Sequence, residues 1–322
     1  MERTTGPKRP ETSVSALGKV KISSEFSDIL FLSKEKTMKD KSGKEISENL
    51  REEAKNIRLV MADVDGTLLT KDQVVDPETV KAITRLRENG ILFGLCTGRE
   101  LKSVLDSLSV WGIEGLVDAV VGSGGAEIED LTLNRSVKQY PLSGRLIKKV
   151  MKHYADLPVN FVVPEDGLLY TFKDDPLIQA LSKADQIPYQ VVDPNTFLEN
   201  EHSKVMLTFR PDLMPAVKER SKSFCDPDFT GAPLVTASIL FEYMDPRVSK
   251  PAGLHQLLEW HGWSEENLCS FGDEDNDFPM TQMAKIGVVM KNGSQKTKSA
   301  ADYITDDNNH SGIATFINEF LV

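Results

Sequence analysis

Two short apolar runs, each breaking off into a knot of acids and glycine, constrain this chain more than any other feature. Ile57-Arg58-Leu59-Val60-Met61-Ala62 ends in Asp63-Val64-Asp65-Gly66-Thr67, and Leu268-Cys269-Ser270-Phe271 ends in Gly272-Asp273-Glu274-Asp275-Asn276-Asp277. Runs of that length read as buried strands, and strands apolar along their whole length belong to parallel sheets covered on both faces. The segments between support this. Val80, Ile83 and Leu86 recur at helical spacing between Pro77 and Asn89-Gly90, which suit a helix start and stop. Ile91 to Cys96 is a further buried strand, and Leu101, Val104, Leu105 and Leu108 mark another helix. Strand, helix, strand, helix implies a parallel α/β sheet.

The texture changes from about Leu131 to Asp245. Strand candidates at Asn160 to Val163 and Leu168 to Phe172 bracket a turn at Pro164-Glu165-Asp166-Gly167, with others near Lys204 to Phe209 and Ser238 to Tyr243. Helices are expected near Ser143 to Tyr154, Pro176 to Ala184 and Leu213 to Phe224, so the segment reads as an α+β insert. The α/β pattern returns after Pro246, with a helix at Pro251 to His261 and strands at Leu268 to Gly272 and Lys285 to Met290. With 322 residues there is room for about two domains at roughly 150 residues each. The expected organisation is a doubly wound, Rossmann-like core from 57–128 and 246–322, an α+β cap at 129–245, and an N-terminal extension at 1–56.

The extension is rich in Ser, Thr, Lys and Glu. Arg3, Lys8, Arg9, Lys19 and Lys21 fit an organelle-targeting leader, but Glu2 and Glu11 do not. Lys34 to Arg58 allows i,i+4 ion pairs, as in a solvated helix. A net charge of −11 gives no footprint for nucleic-acid phosphates. No segment has the roughly 18 uninterrupted apolar residues of a membrane span. Cys96, Cys225 and Cys269 have neither a CxxC spacing nor an even count, so a reducing compartment is expected. The expectation is a cytoplasmic protein without nucleic-acid or membrane partners, organelle targeting being the alternative.

On a strand, residues i and i+2 share a face, so Asp63 and Asp65 address one site at the strand's end, where open α/β sheets bind ligands. An Asp-Gly pair also makes a simple turn. Asp273, Glu274, Asp275 and Asp277 put four acids within five positions, a repulsion that a cation would relieve. No His or Cys cluster lies nearby, which favours magnesium over zinc, and Phe278-Pro279-Met280 lacks the ligand spacing of a calcium loop. A solvated acidic loop is the alternative. Lys250 alone carries no signal, and Thr97 before Gly98 also suits a helix N-cap.

Taken in order, Asp63-Val64-Asp65-Gly66-Thr67-Leu68-Leu69, Cys96-Thr97-Gly98-Arg99, Lys250 and Gly272-Asp273-Glu274-Asp275-Asn276-Asp277 resemble the four motifs of the haloacid dehalogenase-like phosphotransferases. Within that superfamily the chain resembles the Cof-type hydrolases with a large α+β cap. The resemblance runs from about Ile57 to the C-terminus. It implies an Mg²⁺-dependent phosphomonoesterase for a small phosphorylated metabolite, such as a sugar phosphate, phosphorylated vitamin or nucleotide. It implies Asp63 as nucleophile and Asp65 as general acid and base, with Thr97, Gly98, Lys250 and Asn276 at the phosphate. The metal would be held by Asp63, the Asp65 main-chain carbonyl and Asp273, with Asp277 in support. Arg99 and Cys96 are expected to be structural. Gly124 stands where relatives often have Asn, which puts a substrate contact or a loop-ordering bond there in doubt. The rivals are a phosphomutase and a non-catalytic binding protein of the same fold.

Overall fold

In the computed structural model, which describes residues 43–231 and 233–322, the first acid-tipped run is the fully buried strand β1, Leu59–Ala62. It is followed by β2, Leu92–Cys96, β3, Ala119–Gly122, β4, Glu127–Asp130, and β5, Arg135–Lys138. The cap contributes β6, Leu142–Ser143, β7, Asn160–Glu165, β8, Leu168–Thr171, β9, Tyr189–Val191, β10, Glu201–His202, β11, Val205–Thr208, β12, Leu234–Ala237, and β13, Leu240–Tyr243. The chain then returns to the core for β14, Leu268–Gly272, β15, Ile286–Met290, and β16, Tyr303–Thr305.

The core sheet runs β16-β15-β14-β1-β2-β3-β4-β5. All pairings from β16 to β3 are parallel, while β4 and β5 pair antiparallel at the far edge. From β1 the chain proceeds outward to β2 and β3, and after the cap it begins again on the other side with β14. The sheet therefore changes direction between β1 and β14, and a ligand crevice opens outside the carboxyl ends of two such strands. Both acidic knots lie there. The packing that holds them is apolar: Val60, Ala62, Phe93, Leu95, Cys269, Phe271, Val288 and Met290 share one cluster with Ile83, Leu86, Ile313 and Phe316 from the covering helices. Each fully buried large aliphatic or aromatic side chain contributes about 1.5–3 kcal/mol.

Helix ends fix the approach to the site. Asp76 caps the helix Pro77–Glu88 by accepting from Glu78 N and Thr79 N. Ser249 caps Lys250–His261 by accepting from Ala252 N, and Gly262 ends that helix with φ +68°. Lys250 is thereby the first helical residue.

Over the core lies the cap, a six-stranded sheet ordered β12-β13-β11-β7-β8-β9, with only the β8–β9 pair parallel. Helices Gly144–His153, Pro176–Asp185 and Met214–Ser221 accompany it. Ile147, Val150, Tyr154, Phe209 and Tyr243 form its own apolar cluster. Among the described residues no helix is long and apolar enough to cross a membrane.

Two expectations need correction. The cap does not begin at residue 129, because that position lies inside β4, and the β4–β5 hairpin extends the core sheet to Lys138. Its strands, Glu-Ile-Glu-Asp and Arg-Ser-Val-Lys, carry the charges of a sheet edge, which masked them as core elements. The helix Gly43–Ala54 is not wholly solvated either. Leu50 and Ala54 are buried in the core cluster with Ile57, and the Arg51 guanidinium lies over the Phe320 ring. The suggested leader lies outside the described residues.

Candidate active site

Asp63 follows β1 directly, and its main-chain N–H donates to the Phe271 carbonyl oxygen on β14, so the sheet ladder itself carries its backbone across to the second acidic strand. Its carboxylate accepts from Lys250 Nζ at 2.5 Å, and the same ammonium donates to Asp277 Oδ1 at 2.6 Å. Lys250 is buried at the positive end of a helix dipole, a position that disfavours a cation. Burial alone would depress its pKa, but Asp63 and Asp277 more than offset this and hold it protonated.

Asp277 is spent on bracing. While Oδ1 meets Lys250, Oδ2 accepts from the main-chain N–H groups of Asp273 and Glu274, which fixes the acidic loop. Asp273 accepts from the Thr67 hydroxyl through Oδ1. Its Oδ2 would stand 2.3 Å from a Cβ placed on Gly66, a residue with φ +78°, so glycine there lets the first motif's backbone press against the second motif's carboxylate. Burial pushes the Asp63 carboxyl upward against the pull of Lys250, with Asp277 and Asp273 adding to the rise. Burial likewise raises Asp273, to about 6, against the Thr67 hydrogen bond and with help from Asp277 and Glu274.

Asp63, Asp273 and Asp277 each offer an oxygen within 4.8 Å of the others, and all three are buried. Three carboxylates around one ammonium leave an excess of buried negative charge. The donor set is hard oxygen only, without imidazole or thiolate, and that chemistry suits Mg²⁺.

Thr97 is buried at the end of β2, with its N–H bonded to Val121 O and its hydroxyl accepting from Arg99 N. Gly98 is exposed beside it, and Asn276 is exposed on the acidic loop. The loop-ordering half of the doubt over Gly124 resolves in the main chain. Its N–H donates to Thr97 O, Ser123 N donates to Arg99 O, and the Ser123 hydroxyl donates to Glu127, so the loop is ordered without an Asn side chain.

Arg99, expected to be structural, pairs with Asp65. Its guanidinium makes a two-pronged contact with Asp65, Nε to Oδ2 at 2.8 Å and an Nη to Oδ1 at 2.6 Å, while packing over Trp111 and touching Gln73. The planar fork of an arginine matches a carboxylate in this way. The sequence signal was its place two residues after Thr97. Cys96 is buried as expected, and burial pushes its thiol up to about 12.

The Asp63 carboxylate, a fixed ammonium and two further buried acids thus meet at one crevice, with Thr97 at the end of the neighbouring strand. Comparison with known proteins places this arrangement: the family model of haloacid dehalogenase-like hydrolases matches residues 60–317. The chain belongs to that family. Among curated relatives of this haloacid dehalogenase-like hydrolase, it is 26% identical over 268 residues to the 5-amino-6-(5-phospho-D-ribitylamino)uracil phosphatase YitU of Bacillus subtilis, covering 82% of this chain and 97% of that one. A haloacid dehalogenase-like hydrolase from Bacteroides thetaiotaomicron superposes with a TM-score of 0.74 at 20% identity, covering 81% of this chain and 98% of that one. A subclass IIB sugar phosphatase superposes with a TM-score of 0.68 at 19% identity, covering 82% and 98%. The fold is that of the Cof-type hydrolases.

Proposed function

We propose that this hydrolase is an Mg²⁺-dependent phosphatase for a small phosphorylated metabolite, acting through an aspartyl phosphate on Asp63. The observation that carries the reading is the Asp63 carboxylate at the end of β1, held by Lys250 beside the Asp273 and Asp277 carboxylates.

An Asp63 oxygen attacks the phosphorus while the bond from phosphorus to the ester oxygen breaks, and the leaving oxygen takes a proton from Asp65. Water then attacks the phosphorus of the aspartyl phosphate, Asp65 accepts its proton, and Asp63 and inorganic phosphate are released. Thr97 and the Gly98 N–H donate to phosphoryl oxygens, Lys250 supplies fixed positive charge, and Asn276 lies at the rim. The ion would be held by Asp63, the Asp65 carbonyl oxygen and Asp273, with Asp277 bracing them. When bound, Mg²⁺ supplies charge that offsets the repulsion between phosphate and carboxylates. Arg99 occupies both Asp65 oxygens in the resting site, so Asp65 turns out of that fork to give and take its proton.

The name of the Bacillus relative supports a phosphorylated metabolite as substrate, with sugar phosphates, phosphorylated vitamin precursors and nucleotides as candidates. The test is phosphate release from a panel of such esters, with Mg²⁺ or chelator, for the wild type and Asp63→Asn. Release that needs Mg²⁺ and disappears in the variant supports the reading. Turnover that survives in purified Asp63→Asn overturns it.

A further inference from the structure

The cap places a second group of charges over the opening of the site, and the chemistry above uses none of them. Lys204, just before β11, sends its Nζ down to the Gly98 carbonyl oxygen at 3.1 Å and across to Glu242 Oε2 on β13 at 3.0 Å. Lys204 and Glu242 are only 4% and 5% exposed. Asp185 ends the cap helix Pro176–Asp185 and reaches water, yet the protein crowded around it pushes its carboxyl up. Arg99 and Lys204 pull the other way, and Asp65 and Glu242 add to the rise. Five ionisable groups therefore share one neighbourhood, Asp65 and Arg99 below and Asp185, Lys204 and Glu242 above.

The buried pair is not the cap's single tie to the core at this point. Ser203, the preceding residue, already ties this segment to the core through its hydroxyl bond to Glu127, whose other oxygen accepts from Leu101 N and the Ser123 hydroxyl. The pairing of β11 with β13 comes from the backbone register, Met206 opposite Glu242. An apolar pair of the same volume would avoid desolvating two charges and would serve stability at least as well. An ammonium has three N–H groups, and Gly98 and Glu242 occupy two. The third remains a donor beside the Gly98 loop, which the proposed function puts at the phosphate.

We propose that Lys204 and Glu242 are the specificity-determining pair of this site, hydrogen-bonding the hydroxyls of an uncharged, polyhydroxylated leaving group. The surplus of carboxylates over cations in this neighbourhood, with Asp185 at its edge, disfavours a leaving group that carries a second phosphate. The inference rests on the phosphatase reading and deepens it.

The experiment measures kcat/KM with Mg²⁺ for sorbitol 6-phosphate, 4-nitrophenyl phosphate and fructose 1,6-bisphosphate. It compares the wild type with Lys204→Met/Glu242→Gln, which removes both buried charges together, and with Asp185→Lys at an exposed position. The expected result is a loss of about tenfold or more on sorbitol 6-phosphate in the double variant, against a change within about twofold on 4-nitrophenyl phosphate, which has no hydroxyls to read. Asp185→Lys should raise kcat/KM on the bisphosphate by about fivefold relative to sorbitol 6-phosphate. Equal losses on sorbitol 6-phosphate and 4-nitrophenyl phosphate would show that Lys204 only positions the Gly98 loop and would overturn the proposal, as would no loss on either. Should the double variant fail to fold by circular dichroism, the Asp185→Lys ratio decides, and an unchanged ratio overturns the proposal. Wild type that releases phosphate neither from these three esters nor from the panel above overturns the phosphatase reading itself and takes this inference with it.

Discussion

The floor of the site and its roof are built on opposite principles. The floor gathers Asp63, Lys250, Asp273 and Asp277 into a buried, mutually bonded set whose geometry the core sheet and one helix N-terminus dictate. The roof brings Asp185, Lys204 and Glu242 together from a helix end and two cap strands. Under the proposed function, the chemistry that any phosphate ester shares belongs to the floor, and what distinguishes one ester from another belongs to the roof.

Loss of the Asp63 carboxylate tests the floor most severely. Asp63→Asn should reduce kcat by at least about 10⁴-fold with the fold retained, as read by phosphate release and circular dichroism. Lys250→Met follows, with a kcat loss of about 10²–10³-fold and a destabilisation of about 3–5 kcal/mol, because Asp63 and Asp277 would be left buried without their cation. Denaturant melts with and without Mg²⁺ separate the two effects. A smaller effect, about tenfold in kcat with KM little changed, is expected for Arg99→Met, since Asp65 loses the partner that fixes its resting position.

A pH series separates floor from roof in another way. The Asp273 carboxyl stands at about 6, above its unfolded value of 3.8, so in metal-free protein its contribution to stability is present below about pH 4 and is lost as the pH rises through 6. Mg²⁺ needs the ionised form, so its apparent affinity should fall as the pH drops below about 6. The rise in melting temperature on adding Mg²⁺ should therefore be larger at pH 7 than at pH 5.5. Leu50→Ala, remote from both layers, should cost about 2–4 kcal/mol of stability and leave kcat within about twofold.

The floor was legible in the sequence because each of its motifs is contiguous and follows an apolar run, so strand direction and acid placement can be read together. Lys250 carries no signal alone and needed the family resemblance together with its place directly before Pro251 and a helix. Arg99 escaped because its partner Asp65 and the packing surface of Trp111 come from two other loops. The roof was illegible for a deeper reason. Lys204 and Glu242 become neighbours only when β11 pairs with β13, and no sequence spacing announces that pairing. A trace was present, since each is a single charge inside or beside an otherwise apolar strand, Val205-Met206-Leu207 and Leu240-Phe241-Tyr243. Such a charge needs a partner wherever it is buried.

The central place of β1 has a consequence for the birth of the molecule. Leu59 pairs with Leu92 on one side and with Leu268 on the other, so one edge of the middle strand has its partner within a few dozen residues while the other must wait for roughly 200 more to be synthesised. At about 5–20 residues per second that wait is on the order of 10–40 s, during which an apolar strand edge leaves the ribosome without its neighbour. The cap, whose apolar cluster is drawn entirely from residues between the two halves of the core, is complete before the floor beneath it can close. The cap is ready first, and the buried acid cluster is assembled last.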